Sequence, residues 1–169
     1  MIVYRPARAE DGEALSAMAA QCFRDTFEHL YRREDLDAFL AEAFGPGGLP
    51  AQIGDPAYDI RLAIDGGGIA GFAKLGRCAL PEPAPRDAAE LKQLYVLKAW
   101  QGAGIAAALM DWAIAAALEK GAESMALSVY CDNHRAQRFY ARYGFAEIGR
   151  APFRVGEQID DDRIWLKAL

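Results

Sequence analysis

Residues 101–106, Gln-Gly-Ala-Gly-Ile-Ala, lead directly into AALMDWAIAAAL, a stretch with the composition of a helix. The start of a helix exposes N–H groups without partners and the positive end of the helix dipole, so its natural guest is an anion. Glycine at 102 and 104 would let phosphate oxygens reach the main chain without meeting a Cβ. The alternative is that the two glycines only ease a tight strand-to-helix turn. A P-loop is excluded, because no Lys-Ser/Thr pair follows Gly104. Gly102, Gly104 and Ala107 satisfy the dinucleotide pattern G-x-G-x-x-A, with Asp132 ending the next strand. Only 37 residues follow Asp132, too few to complete a doubly wound domain.

Other reactive side chains form no constellation by spacing alone. Cys22, Cys78 and Cys131 lie far apart and make neither a C-x-x-C nor a Cys/His cluster, so no disulfide framework or zinc site follows. Cys131 has no paired histidine to support an acyl-cysteine. His29 and His134 are distant from each other, and His134 reads as a solvated residue at a helix start.

The elements that must position these residues can be read from periodicity. IVYRPA alternates and reads as a first strand. Asp11 is placed to cap a helix whose apolar residues Leu15, Met18, Ala19 and Cys22 share one face. A second helix covers Arg33 to Phe44, with Leu36, Phe39, Leu40 and Ala43 on one side, and GPGG ends it. YDIRLAI and IAGFAKLGRCAL flank a glycine turn and form a hairpin. After the stiff loop PEPAPR, ELKQLYVL is a strand that feeds the helix beginning near Gly104, whose stripe Leu109, Trp112, Ala113 and Ala116 is core packing. SMALSVY is a strand and HRAQRFYARYG a short helix. FAEIGRAPFRV and DRIWLKAL are two final strands joined around the acidic run 160–162. The order β-α-α-β-β-β-α-β-α-β-β predicts one α/β domain over 1–169, a mixed sheet whose central strand-helix-strand unit is parallel.

Gln101-Gly102-Ala103-Gly104-Ile105-Ala106 also fits Q/R-x-x-G-x-G/A, with Val96 five residues earlier on the strand. Asn133-His-Arg-Ala136-Gln-Arg-Phe139-Tyr140 follows one strand later and runs into Tyr143-Gly144-Phe145. In this order and spacing the chain resembles the GNAT superfamily of N-acetyltransferases, and the element order is that family's order too. The resemblance implies a mostly antiparallel sheet of six to seven strands with a central parallel pair, flanked by helices. The stretch FRDTFEHLYRREDLDAFLAEAF and the sequence VYCDN are similar to the bacterial spermidine/spermine acetyltransferase-like branch. That branch usually carries tryptophan where this chain has Tyr130.

What the resemblance implies is specific by residue. The donor is acetyl-CoA, its diphosphate held by the main chain of Gly102, Ala103, Gly104, Ile105 and Ala106, with Gln101 shaping the loop. Its pantetheine arm pairs like an extra strand with Leu94, Tyr95 and Val96, and Asn133 bonds it from the other side. The Val96 amide is the candidate donor to the thioester oxygen. Tyr140 is the general acid for the departing thiolate. Glu90 is the general base by motif position, acting through water; a solvated strand-edge glutamate is the other reading. Glu90 precedes Val96 by six residues, which puts both on one face unless a bulge near Leu94 breaks the parity. Asp25, Phe27 and Tyr31 belong to the helical connection that lines the family's acceptor pocket.

Composition narrows the partners. Apolar residues make up 53% and charged residues 25%, an ordinary globular balance, and the net charge of −5 argues against a nucleic-acid partner. The first residues lack a cationic-then-apolar signal pattern, and the longest apolar run is short for a bilayer and contains Asp111, so the expectation is a cytoplasmic protein with no membrane partner. The expected acceptor is a small primary amine, a polyamine among them. The rival readings are a protein N-terminus or lysine as acceptor, and a non-catalytic acyl-CoA-binding module. Dimers are common in the family, so a homodimer is implied by analogy alone.

Overall fold

The alternating segments become strands, and the computed structural model, which describes residues 1–169, collects seven of them in one sheet. In chain order the elements are β1 (Val3–Pro6), α1 (Gly12–Phe27), α2 (Arg33–Phe44), β2 (Tyr58–Asp65), β3 (Gly68–Arg77), β4 (Ala89–Val96), α3 (Ile105–Glu119), β5 (Ser124–Tyr130), α4 (His134–Arg142), β6 (Ala146–Arg150), β7 (Phe153–Val155), β8 (Gln158–Asp160) and β9 (Asp162–Ala168). The sheet runs β1-β2-β3-β4-β5-β9-β6, and β4–β5 is its one parallel pair. A parallel pair needs a crossover connection, which α3 supplies. No helix is long and apolar enough to cross a membrane.

Strand alternation decides which helix each residue meets. Leu62 and Phe72 point to α1 and α2, where Leu15, Met18, Cys22, Phe23, Leu36, Leu40 and Phe44 are buried. Their neighbours Ala63 and Ala73 point the other way, to Leu109, Met110, Ala113 and Ala117 of α3. Full burial of one such leucine contributes about 1.5–3 kcal/mol, so a one-residue slip that exchanged the faces would cost most of the core. The stripe on α3 is rotated from expectation: Trp112 and Ala116 sit at its half-buried margin, and Met110 and Ala117 lie in its centre.

Two local expectations are corrected. Asp11 does not cap α1. Its carboxylate accepts two 2.7 Å bonds from the Arg5 guanidinium and one of 2.7 Å from the Arg8 amide, so it ties β1 to the turn before the helix. Nor is FAEIGRAPFRV one strand. The Ala151 amide still bonds Asp162 O at 2.9 Å, but Pro152 has no N–H to continue the ladder. The chain leaves the sheet there and makes the β7–β8 hairpin, which packs on α2 through Phe153 against Phe39 (5.5 Å between rings) and through the buried Val155. The last strand, β9, then inserts between β5 and β6.

At the hairpin tip Gly156 has φ +58°, and a Cβ there would lie 2.2 Å from the Asp35 carboxyl carbon. Gly156→Ala is expected to cost about 1–2 kcal/mol, from left-handed backbone strain and displacement of Asp35. At this chain length that is a loss of roughly 2–8 °C in Tm by thermal denaturation. An unchanged Tm would mean the hairpin is not clamped to α2.

Candidate active site

The parallel pairing of β4 and β5 is confined to Ala89–Met125 and Glu90–Ala126. Beyond it the strands diverge, while β4 stays paired to β3 as far as Val96. Leu94, Tyr95 and Val96 therefore present one main-chain edge to an open cleft between β4 and β5. Such an edge can take an extended, amide-rich ligand as if it were a further strand.

The loop from β4 to α3 closes the cleft on the α3 side. Gly102 and Gly104 have φ +86° and +82°, and a Cβ at either would meet no protein atom within 4 Å. Gly104 is the residue before α3, and no side chain caps the helix. The first bond inside the helix runs from Ala108 N to Gly104 O at 3.1 Å, so the amides of Ile105, Ala106 and Ala107 have no intrahelical partner. These bare donors sit at the positive end of a 15-residue helix with open space beside the glycines, an arrangement that fits a diphosphate. Gln101 ties the loop down: its amide donates to Val96 O at 3.4 Å, and its oxygen accepts from Arg135 of α4.

Tyr140 on α4 packs against the α3-side core close to Tyr95 of β4. Its ring packs on Phe139 (5.6 Å) and Phe145 (5.9 Å), its hydroxyl has no hydrogen-bond partner within the protein, and burial pushes its pKa up to about 12. It therefore keeps its proton at any physiological pH. Asn133 lies at the start of α4, where its Oδ1 accepts from the Ala136 amide at 3.3 Å. Cys131 lies nearby with its thiol pushed upward by burial, the wrong direction for a nucleophile.

The opposite face of the cleft is acidic and aromatic. A bulge on β4 leaves Lys92 without a partner on β3, because Lys74 pairs with Gln93 and Leu75 with Leu91. Leu91 and, beyond the bulge, Leu94 and Val96 pack on the α3 side, whereas Tyr95 packs on Phe72 and Phe44 on the α1/α2 side. The extra residue breaks the even spacing, so Glu90 and Val96 point to opposite faces. Glu90 is 8% exposed, and its Oε2 accepts from Lys92 Nζ at 2.7 Å and from the Ala79 amide at 2.8 Å. It is thus a buried, ion-paired glutamate and not a solvated one.

Of the residues expected in the acceptor pocket, Phe27 and Tyr31 come together and Asp25 does not join them. Phe27 meets Tyr130 edge-on at 6.1 Å, and the Tyr31 hydroxyl donates to Asp160 Oδ2. Asp25 stays exposed and accepts from Gln21 at 2.6 Å. Sequence reasoning treated residues 160–162 as a connector and missed Asp160 and Asp162. Asp160 is 3% exposed and bonds Tyr31 and Gln158. Asp162 accepts from Ser128 Oγ at 3.3 Å, and burial, with Asp160 and Asp161 beside it, pushes its pKa up to about 6. The one available signal was the run of three carboxylates itself. Lys74 was missed too: it is buried on the same face, bonded to Gln52 at 2.7 Å, and burial lowers its pKa to about 8.

A profile of the acetyltransferase (GNAT) family matches residues 14–145. An uncharacterized N-acetyltransferase of Mycobacterium tuberculosis is 34% identical over 159 residues, covering 94% of this chain and 98% of that protein. Among solved structures, PaiA N-acetyltransferase from Thermoplasma acidophilum in complex with coenzyme A superposes with a TM-score of 0.82 at 22% identity, over 100% of this chain and 99% of that one. YncA from Salmonella typhimurium, solved with its cofactor acetyl-CoA, gives 0.73 at 21% identity, over 100% and 94%.

Proposed function

This chain belongs to the acetyltransferase (GNAT) family and takes acetyl-CoA as its co-substrate, and on that premise we propose that it acetylates a small primary amine with cationic character, a polyamine of the spermidine/spermine kind. The single observation that carries the amine is the face of the cleft opposite α3. Asp160 and Asp162 stand there beside the rings of Tyr31 and Tyr130, with no cation of the protein paired to either carboxylate. Buried or half-buried carboxylates without a counter-charge favour a cationic guest, and aromatic rings favour it further.

In this reading the main chain of Gly102, Ala103, Gly104, Ile105 and Ala106 holds the diphosphate, with Gln101 keeping the loop in place. The edge of Leu94, Tyr95 and Val96 pairs with the pantetheine arm, and the Nδ2 of Asn133, free of its capping role, bonds the arm from the β5 side. The Val96 amide donates to the thioester oxygen as charge develops there. Tyr140 donates its proton toward the departing sulfur. Phe27 and Tyr31 wall the acceptor, and Asp25, exposed and bonded to Gln21, stays outside that wall.

An alkyl ammonium has a pKa of about 10.4, so only about one molecule in 2,500 is neutral at pH 7 and a proton acceptor is required. Glu90 holds the position that the family resemblance nominates for it. Of its two oxygens only Oε1 is free to hold a water, since Oε2 already accepts from Lys92 and the Ala79 amide.

Thiol release from acetyl-CoA, measured across polyamines, monoamines and peptides, tests the acceptor. Release driven by polyamines, well above that with monoamines of similar size, is expected. Release with peptides alone would replace this reading with a protein N-terminus or lysine as the acceptor.

A further inference from the structure

Glu90 and Asp162 both belong to the acceptor side of the cleft, and their surroundings suit them to different tasks. Glu90 already carries an ammonium, Lys92, and a main-chain N–H on one oxygen, with Lys74 on the same face. A substrate proton would have to displace that buried ion pair to reach the same oxygen. Asp162 stands differently. It is the first residue of β9, paired in register with Tyr130 at the open end of β5. Its carboxylate accepts one hydrogen bond, the long one from Ser128. Arg163, the adjacent cation, is turned away to Asp161 (2.8 Å) and Glu147 (2.9 Å), and no basic group pairs with Asp162.

We propose that Asp162 is the catalytic base, the group that takes the proton from the acceptor ammonium and frees the nitrogen lone pair to attack the thioester. The proposal rests on the acetyl-transfer reading above. The ammonium N–H breaks toward a carboxylate oxygen of Asp162. The C–N bond then forms and the C–S bond breaks. The sulfur takes the Tyr140 proton, and Tyr140 is recharged by the second proton that the nitrogen loses on becoming an amide. Asp162 returns its proton to solvent, so one ammonium and one thioester give one amide, one thiol and one proton.

The groups facing Asp162 agree with this role. From β8 and the turn after it come Asp160 and Asp161, from β5 Ser128 and Tyr130, from β4 Tyr95, and from the α1–α2 connection Tyr31. None of these is positively charged. Together with burial, the two neighbouring aspartates raise the pKa of Asp162 from 3.8 to about 6. Asp162 is thereby still ionised at pH 7, and it is a stronger base than an ordinary aspartate.

The test is the pH dependence of kcat/KM for the amine, with acetyl-CoA saturating, in wild type, Asp162→Asn, Asp162→Glu and Glu90→Gln. Wild type is expected to lose activity as pH falls through about 6. Asp162→Asn should lose about 10²- to 10⁴-fold in kcat together with that acid limb, with coenzyme A binding and Tm undiminished, and Asp162→Glu should recover part of both. Glu90→Gln should keep the limb whatever its rate. An Asp162→Asn enzyme that retains the limb, or a Glu90→Gln enzyme that loses it, overturns the proposal. Wild-type acetyl transfer in the same assay leaves the reaction itself standing in either case.

Discussion

Replacing Tyr140 with phenylalanine is expected to lower kcat by about 10- to 10⁴-fold and to leave the Kd for coenzyme A within a few-fold of wild type. The substitution removes one oxygen and keeps the ring, so the packing against Phe139 and Phe145 survives. The lost hydroxyl has no partner within the protein, so no buried group is left unsatisfied and the fold should not suffer. In the proposed role, what disappears is a donor to a sulfur that becomes negative only as the C–S bond breaks. An interaction made only in the transition state appears in kcat and not in ground-state binding. With its pKa raised to about 12, the phenol serves mainly as a permanent hydrogen-bond donor, and complete transfer to a thiolate of pKa about 8.5 needs the proton that the amine releases. Single-turnover acetyl transfer with isothermal titration of coenzyme A checks the prediction. A variant that turns over at the wild-type rate would remove Tyr140 from the chemistry.

The second large effect belongs to binding. Gly104→Val is expected to weaken coenzyme A binding by about 100-fold or more, with a much smaller loss of thermal stability. At φ +82° a β-branched residue is strained by about 1–3 kcal/mol, yet its Cβ would meet no protein atom within 4 Å. The protein can relieve the strain by rotating the loop, and the same rotation turns the amides at the start of α3 away from one another. Each hydrogen bond to a charged group contributes about 1.5–3 kcal/mol, so losing two accounts for a change of that size. Calorimetric titration with coenzyme A measures it directly. Wild-type affinity in this variant would mean that the bare amides of α3 do not hold the diphosphate.

The sequence by itself determined the helices, most of the strands and the glycine-led start of α3. The α2 limits, the β5 limits and the glycine pair before α3 depend on neighbours a few residues away: apolar spacing, the absence of Cβ at two positions and the unpaired amides of any helix start. The acceptor side was hidden for the opposite reason. Asp160 meets Tyr31 across 129 residues of chain, and Asp162 reaches the cleft because β9 inserts between β5 and β6. The orientation of Glu90 turned on one unpaired residue, Lys92, and the charge around it on Lys92 and Lys74, which only the register of β3 against β4 brings to the same face. Strand order, bulges and burial are set by packing between distant segments, and it is burial, not residue type, that raises the pKa of Asp162 and encloses the Glu90–Lys92 ion pair.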